Sequence, residues 1–307
     1  MKILIAGSSG MLGRAATSAL RADGHEVIRL VRRSPAGADE VAWHPMAGEV
    51  PLEYCRSADA IINLCGADMS ASRWSTKRRN ELRRSRIDTT QTLAKIFDVG
   101  GSDGARRPSV YLSASATGLY GDRGNLELTE SSGPGNGFLA DLCRDWEGAA
   151  MTAAESGARV VCLRFGIVLS GEGGFLNRLV PFYKAGFGCQ FGTGRQWMSW
   201  IEAEDAVGVI RFALEKSAIS GPVNVVSPTA VMNSGFTRAL GRMFGRQLPM
   251  AIPRVALYML LGRIADEALL ASAHVVPNKL IRAGYPFRYP NLEDALYQAL
   301  AMEKAGA

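Results

Sequence analysis

The sequence predicts an α/β protein: a doubly wound parallel sheet with an interleaved, smaller, mostly helical C-terminal lobe. Three observations lead there. Short apolar runs alternate with longer segments of helical spacing through roughly the first half of the chain. A glycine-rich turn joins the first apolar run to the first helical one. Past Leu169 the alternation loosens, and from Asn233 onward helical spacing dominates.

Residues 1–6 form a short apolar run that ends in glycine, the pattern of a buried strand. Residues 11–22 have helical spacing and close at Asp23-Gly24, a C-cap signal. Residues 26–31 alternate into a second strand. Residues 58–64 are another apolar strand, entered through Asp59, and a long helix covers 75–97. Then come a strand at 109–113, a helix at 137–154 and a strand at 159–168. Such alternation places helices on both faces of a parallel sheet. Residues 171–195 break the rhythm with several glycines, Pro181 and aromatics; 204–215 return to helix and 222–226 to strand. The helices beyond Asn233 are punctuated by Pro249, Pro253, Pro277, Pro286 and Pro290. The expected organisation is a nucleotide-binding domain at 1–169, completed by about 204–226. Residues 170–203 and 227–307 would form the substrate-side lobe.

Composition narrows the function classes. A chain of 307 residues with 47% hydrophobic and 21% charged residues supports a large core and excludes a disordered chain. A net charge of +6 favours anionic ligands such as nucleotide phosphates, but it is too small and dispersed to point to nucleic acid. Lys77, Arg78, Arg79, Arg83, Arg84 and Arg86 share one predicted helix. Glu81 and Asp88 dilute them and no aromatic platform is interleaved, so this reads as a solvated helix with one or two arginines near a nucleotide. Cys55, Cys65, Cys143, Cys162 and Cys189 are scattered and lack CxxC spacing; His25, His44 and His274 are far apart. Neither a disulfide framework nor a metal site is expected. The N-terminal apolar run is too short for a signal peptide, and the longest apolar stretch, 255–261, is too short to span a membrane. The expectation is a cytoplasmic protein with no membrane partner.

The most informative segment is Gly7-Ser8-Ser9-Gly10-Met11-Leu12-Gly13, directly after a strand and directly before a helix. Gly7 permits the tight turn, Gly10 lets backbone N–H groups approach a pyrophosphate, and Gly13 lets the helix pack on the sheet. Phosphates then meet the unpaired N–H groups of a helix N-terminus. This is a Rossmann-type dinucleotide loop, with Gly7, Ser9, Gly10, Met11 and Leu12 as its contacts. The second strand ends Leu30-Val31-Arg32-Arg33-Ser34, with no carboxylate to hold a ribose 2′-hydroxyl. Arg32 and Arg33 suit a 2′-phosphate instead, so NADP(H) is expected over NAD(H).

Further motifs are Asn63-Leu64-Cys65-Gly66-Ala67, Ser85-Arg86-Ile87-Asp88-Thr89-Thr90, Ser113-Ala114-Ser115-Ala116-Thr117-Gly118-Leu119-Tyr120-Gly121, Asp145-Trp146-Glu147, Leu163-Arg164-Phe165-Gly166 and Gly194-Arg195-Gln196-Trp197-Met198-Ser199-Trp200-Ile201. On these the chain resembles the short-chain dehydrogenase/reductase superfamily in its extended, epimerase-like branch. More narrowly it resembles the atypical SDR39U1-like, or YfcH-like, epimerase-family proteins, which carry a C-terminal segment of their own. The resemblance implies that Leu64, Cys65, Gly66, Arg86 and Ser113 lie by the cofactor, and that Gly166, Ile167 and Val168 flank its nicotinamide. Ser115 takes the position of the catalytic serine. Tyr120, Arg195, Gln196, Trp197, Met198 and Trp200 fall on the substrate side.

Two departures follow from the same resemblance. Taking Glu147 as the glutamate that follows a YxxxK pair places Leu139 at the tyrosine position and Cys143 at the lysine position. Leucine cannot transfer a proton, and no other YxxxK occurs. Met198 stands where sugar-nucleotide epimerases place a diphosphate-binding arginine, so an apolar or aromatic-lined pocket is expected; the alternative is that Trp197, Met198 and Trp200 are simply core. Two function classes remain: an epimerase or oxidoreductase acting on a small molecule, and an NADP(H)-binding module with little turnover.

Overall fold

The computed structural model describes residues 1–98, 107–246 and 250–304; Pro249 lies outside them. Seven strands form one parallel sheet: β1 (Lys2–Ala6), β2 (Glu26–Val31), β3 (Glu40–Ala42), β4 (Ala60–Asn63), β5 (Val110–Ala116), β6 (Arg159–Phe165) and β7 (Gly221–Val225). Their spatial order is β7-β6-β5-β4-β1-β2-β3. The order reverses at β1, so a crevice opens between the carboxyl ends of β1 and β4, where open α/β sheets bind ligands. Ala6 pairs with both Leu30 and Asn63 there.

The helices in chain order are α1 (Met11–Ala22), α2 (Leu52–Ser57), α3 (Thr76–Ala94), α4 (Phe138–Glu155), α5 (Gly174–Lys184), α6 (Ala203–Glu215), α7 (Asn233–Met243), α8 (Arg254–Leu261), α9 (Asn278–Arg282) and α10 (Leu292–Lys304). Alternation along β1 sends Ile3 and Ile5 to one face, against Leu20 of α1 and Val209 of α6. Leu4 and Ala6 face the other way, in a cluster with Leu93 of α3 and Ala153 of α4. Both faces are therefore covered, and the sheet is doubly wound.

Beyond β6 the chain weaves between the two lobes through small two-stranded pairings. Ile167–Leu169 runs parallel to Trp200–Glu202, and Trp197–Met198 pairs antiparallel with Val231–Met232. Glu127–Leu128 takes His274–Val275 as a parallel neighbour. A separate core of Leu176, Tyr183, Trp200, Phe236 and Leu296 holds the C-terminal lobe together.

Several elements differ from the sequence expectation. The strand expected at 159–168 breaks after Phe165, because Gly166 passes so close to Ser199 that a Cβ would lie 2.5 Å from its carbonyl oxygen. The strand expected at 109–113 runs on to Ala116, since β6 keeps pairing with it. The long helix ends at Ala94 and finishes as a 3₁₀ turn over Lys95–Phe97. The glycine-rich stretch contains α5, which carries Pro181 inside it. The short β3 and α2 were not predicted.

Candidate functional site

The crevice begins at the glycine loop. Gly7 has φ +85°, and a Cβ there would lie 2.6 Å from the carbonyl carbon of Leu64. A Cβ on Gly13 would lie 2.1 Å from the Gly7 oxygen, so both positions demand glycine. Helix α1 follows Gly10, which offers no capping side chain, and no acidic residue stands in its first turn. Its leading N–H groups thus point into the crevice unspent, a cradle for an anion. Ser9 is exposed beside it, and Leu12 packs back on the sheet core. Met11 lies against Gly173, on the approach to α5.

The end of β2 separates two arginines that the sequence leaves equivalent. Arg33 donates to both oxygens of Glu40, each at 2.7 Å. Glu40 is buried, accepts the Ala36 N–H at 2.7 Å and pairs ionically with Arg29 at 2.9 Å. These donors, Arg33 first, hold its carboxyl below the usual range. Arg32 makes no hydrogen bond or ion pair among the described residues, yet lies near enough to oppose the rise of the Cys65 thiol, which burial pushes up to about 12. Arg32, just past the end of β2, is thus a cation without a partner among the described residues.

A cavity of about 500 Å³ continues inward from β4. Leu64, Cys65, Gly66, Ser115, Gly166 and Ile167 line it, along with Arg86. The Arg86 guanidinium is buried, donates to Ala67 O at 3.1 Å and Leu82 O at 3.3 Å, and lies 5.3 Å from the Trp146 ring centroid. Burial lowers it to about 10, and no carboxylate pairs with it among the described residues. An unpaired buried cation in a cavity wall favours a ligand with anionic or carbonyl oxygens.

Ser115 lies near the carboxyl end of β5. Its hydroxyl donates to Glu147 Oε1 at 2.6 Å. Arg164 grips both oxygens of Glu147 at 2.8 Å and donates to the Tyr120 hydroxyl at 2.8 Å. Burial alone would lower Arg164; the bonds and charge of Glu147 outweigh it and hold it raised. Tyr120 in turn donates to Asn224 Oδ1 at 2.6 Å. Ser115 therefore offers the cavity its lone pairs, and it donates to a substrate oxygen only after turning away from Glu147. Sequence reasoning used Glu147 as an alignment mark and missed this clamp. Leu139 and Cys143, one turn apart on α4, line the same cavity as Ser115. Burial pushes the Cys143 thiol up to about 12, so it stays protonated and inert at neutral pH.

The substrate-side residues divide. Trp197 and Met198 line the inner cavity; Trp197 stacks on His274, with centroids 4.2 Å apart, and donates to Asn125 Oδ1. Arg195 and Gln196 line an adjoining cavity of about 840 Å³, which also holds Asp122, Asn136, Arg254 and Glu267. Gln196 spends its amide on Phe191 O and Leu269 O, at 3.0 and 3.1 Å. Of the contacts that the family resemblance implied, four line neither cavity. Tyr120 is fully buried with its hydroxyl committed, and Trp200 sits in the core of the C-terminal lobe. Val168 alternates away from Ile167 and packs on the sheet core. Ser113 is buried within the sheet, paired with Asn63. Among the described residues no acidic, histidine and cysteine cluster could hold a metal ion, and no helix is long and apolar enough to cross a membrane.

Residues 3–226 match the model of the NAD dependent epimerase/dehydratase family. The chain belongs to this family. Residues 252–299 match a second model, a domain of unknown function, so this epimerase-family chain carries a defined C-terminal segment. Epimerase family protein Mb2239 of Mycobacterium bovis is 43% identical over 295 residues, 96% of each chain. The human epimerase family protein SDR39U1 is 31% identical and covers 98% of this chain and 100% of its own. The crystal structure of human SDR39U1 (isoform 2) with NADPH aligns at TM-score 0.88 and 30% identity, over 98% of this chain and 99% of that one.

Proposed function

We propose that this epimerase-family protein binds NADP(H) along the β1–β4 crevice and uses it to reduce or oxidise a small carbonyl or alcohol. The observation that carries the reading is the uncapped N-terminus of α1 with Arg32 free beside it, while Arg33 is committed to Glu40. The residues fit the cofactor: Gly7 and Gly10 cradle the pyrophosphate, Arg32 takes the 2′-phosphate, and Leu64, Gly66, Gly166 and Ile167 flank the nicotinamide. The human relative with NADPH supports the choice of phosphate form. When bound, the nicotinamide supplies or accepts a hydride. Ser115 orients the substrate oxygen, and Arg195, Trp197 and Met198 shape its surroundings.

A second reading, a binding module with little turnover, draws on Leu139 and Cys143, which supply no proton. Titration of the purified protein with NADPH and NADH tests the cofactor assignment that both readings share. Tighter binding of NADPH by about tenfold or more is expected, and equal affinities would overturn the assignment.

A further inference from the structure

The inner and outer cavities meet at a carboxylate that the sequence did not single out. Glu267 lines both, as do Gly118, Leu139 and Ala271. Its Oε2 accepts the backbone N–H of Leu139 at 2.9 Å, so it sits against the residue that replaces the missing tyrosine. The packing is close: a Cβ on Gly137 would lie 3.0 Å from the same oxygen. Glu267 comes from Ala265–Leu269, a single π-helical turn within the C-terminal segment. Such turns cost backbone geometry and recur at functional sites. Oε1 makes no hydrogen bond among the described residues, although Oε2 is held.

We infer that Glu267 is the proton-transfer group of the reaction, supplied by the C-terminal segment in place of the absent tyrosine. The inference rests on the hydride-transfer reading above. The other groups of the inner cavity do not serve: Leu139 has no proton, Cys143 is held protonated, and Ser115 spends its own on Glu147; Asp122, which accepts the Gly124 and Ser272 N–H groups, and Asp266, paired with Arg254, line only the outer cavity. In the reductive direction the carbonyl carbon receives the hydride and its two electrons from the reduced nicotinamide cofactor. The C=O π pair moves onto oxygen, and protonated Glu267 gives its proton to that oxygen. The products are an alcohol, the oxidised cofactor and the Glu267 carboxylate, which is reprotonated by hydronium from solvent reaching it through the outer cavity. The reverse sequence oxidises the alcohol, with the carboxylate taking its proton.

The test compares wild type with Glu267→Gln, Glu267→Asp and Glu267→Ala. Glutamine keeps an acceptor for the Leu139 N–H and removes the acid. Four quantities are read: reduction of nitrobenzaldehyde and phenanthrenequinone by NADPH, NADPH affinity, quenching of tryptophan fluorescence by the quinone, and melting temperature. Glu267→Gln should lower kcat by about 10²–10⁴-fold. Its NADPH affinity and quinone quenching should stay within about twofold, and its melting temperature within about 2 °C. Glu267→Asp should recover part of the rate. Glu267→Ala should lose the rate and also melt about 2–4 °C lower, from the missing helix cap. Full turnover by Glu267→Gln overturns the inference and leaves the hydride-transfer reading standing. Lost NADPH binding in Glu267→Gln assigns the carboxylate to the cofactor pocket and also overturns it. A wild type that binds NADPH and quinone but reduces neither probe overturns both.

Discussion

Replacing Arg32 with alanine should convert an NADP(H)-selective protein into one nearly indifferent to the 2′-phosphate. The magnitude follows from the inequality of two neighbours. Arg33 is spent: it donates twice to Glu40, which is itself fixed by Arg29 and the Ala36 N–H. Arg32 has its donors free beside the cradle made by Gly7 and α1. A charge-assisted hydrogen bond to phosphate contributes about 1.5–3 kcal/mol. At about 1.4 kcal/mol per tenfold, Arg32→Ala should weaken NADPH by roughly 10- to 150-fold and leave NADH within about twofold. Arg33→Ala should leave the NADPH-to-NADH ratio within about twofold while lowering the melting temperature, because Glu40 loses the guanidinium that binds both its oxygens. Calorimetric titration of the three proteins with both cofactors supplies the six affinities needed. If Arg33→Ala removes the preference and Arg32→Ala does not, the Arg33–Glu40 pair opens on binding and this reasoning is wrong.

Two further perturbations probe the scaffold around the site. The Glu147 and Arg164 side chains are only 13% and 7% exposed, so Arg164→Met strands a buried carboxylate. It should cost about 3–5 kcal/mol, roughly 6–20 °C in melting temperature, and a drop below about 2 °C would count against the clamp. Glu202 is buried, with Oε2 capping α6 and Oε1 without a partner among the described residues, and burial raises it to about 7. An acid raised on folding binds more protons in the folded state, so stability should fall as pH rises from about 4.5 to 7 and stay lower above that. Glu202→Gln should keep the cap, flatten that slope and raise the melting temperature at about pH 8; an unchanged slope would refute the assignment.

The order of the sheet was legible because its signals are local. An apolar strand, a glycine turn and an amphipathic helix announce themselves within a few residues, and α1 and β2 fall where the spacing puts them. The errors lie where a distant segment decides. Gly166 ends β6 because the Ser199 carbonyl needs its space, and β5 lengthens because β6 continues beside it. Helix α5 hides behind its glycines and Pro181, but it buries Leu176, Val180 and Tyr183 against the C-terminal lobe.

The candidate site divides along the same line. The loop glycines, Arg86 and Ser115 sit in motifs with fixed local geometry, and each reaches the crevice or its cavity. Tyr120 and Trp200 look like contacts in sequence because aromatic residues serve cores and pockets alike; only three-dimensional packing shows that both face inward. Glu267 has no local motif, and it meets Leu139 from 128 residues away. What the family frame lost on α4 is therefore recoverable only from the fold, in which the C-terminal segment returns a carboxylate to the same cavity. This explains how a chain without the tyrosine and lysine can keep an intact dinucleotide loop and a serine held in place by Glu147 and Arg164. On the proposed reading, the loop and the serine position cofactor and substrate, and the proton comes from a segment that the sequence motif does not contain.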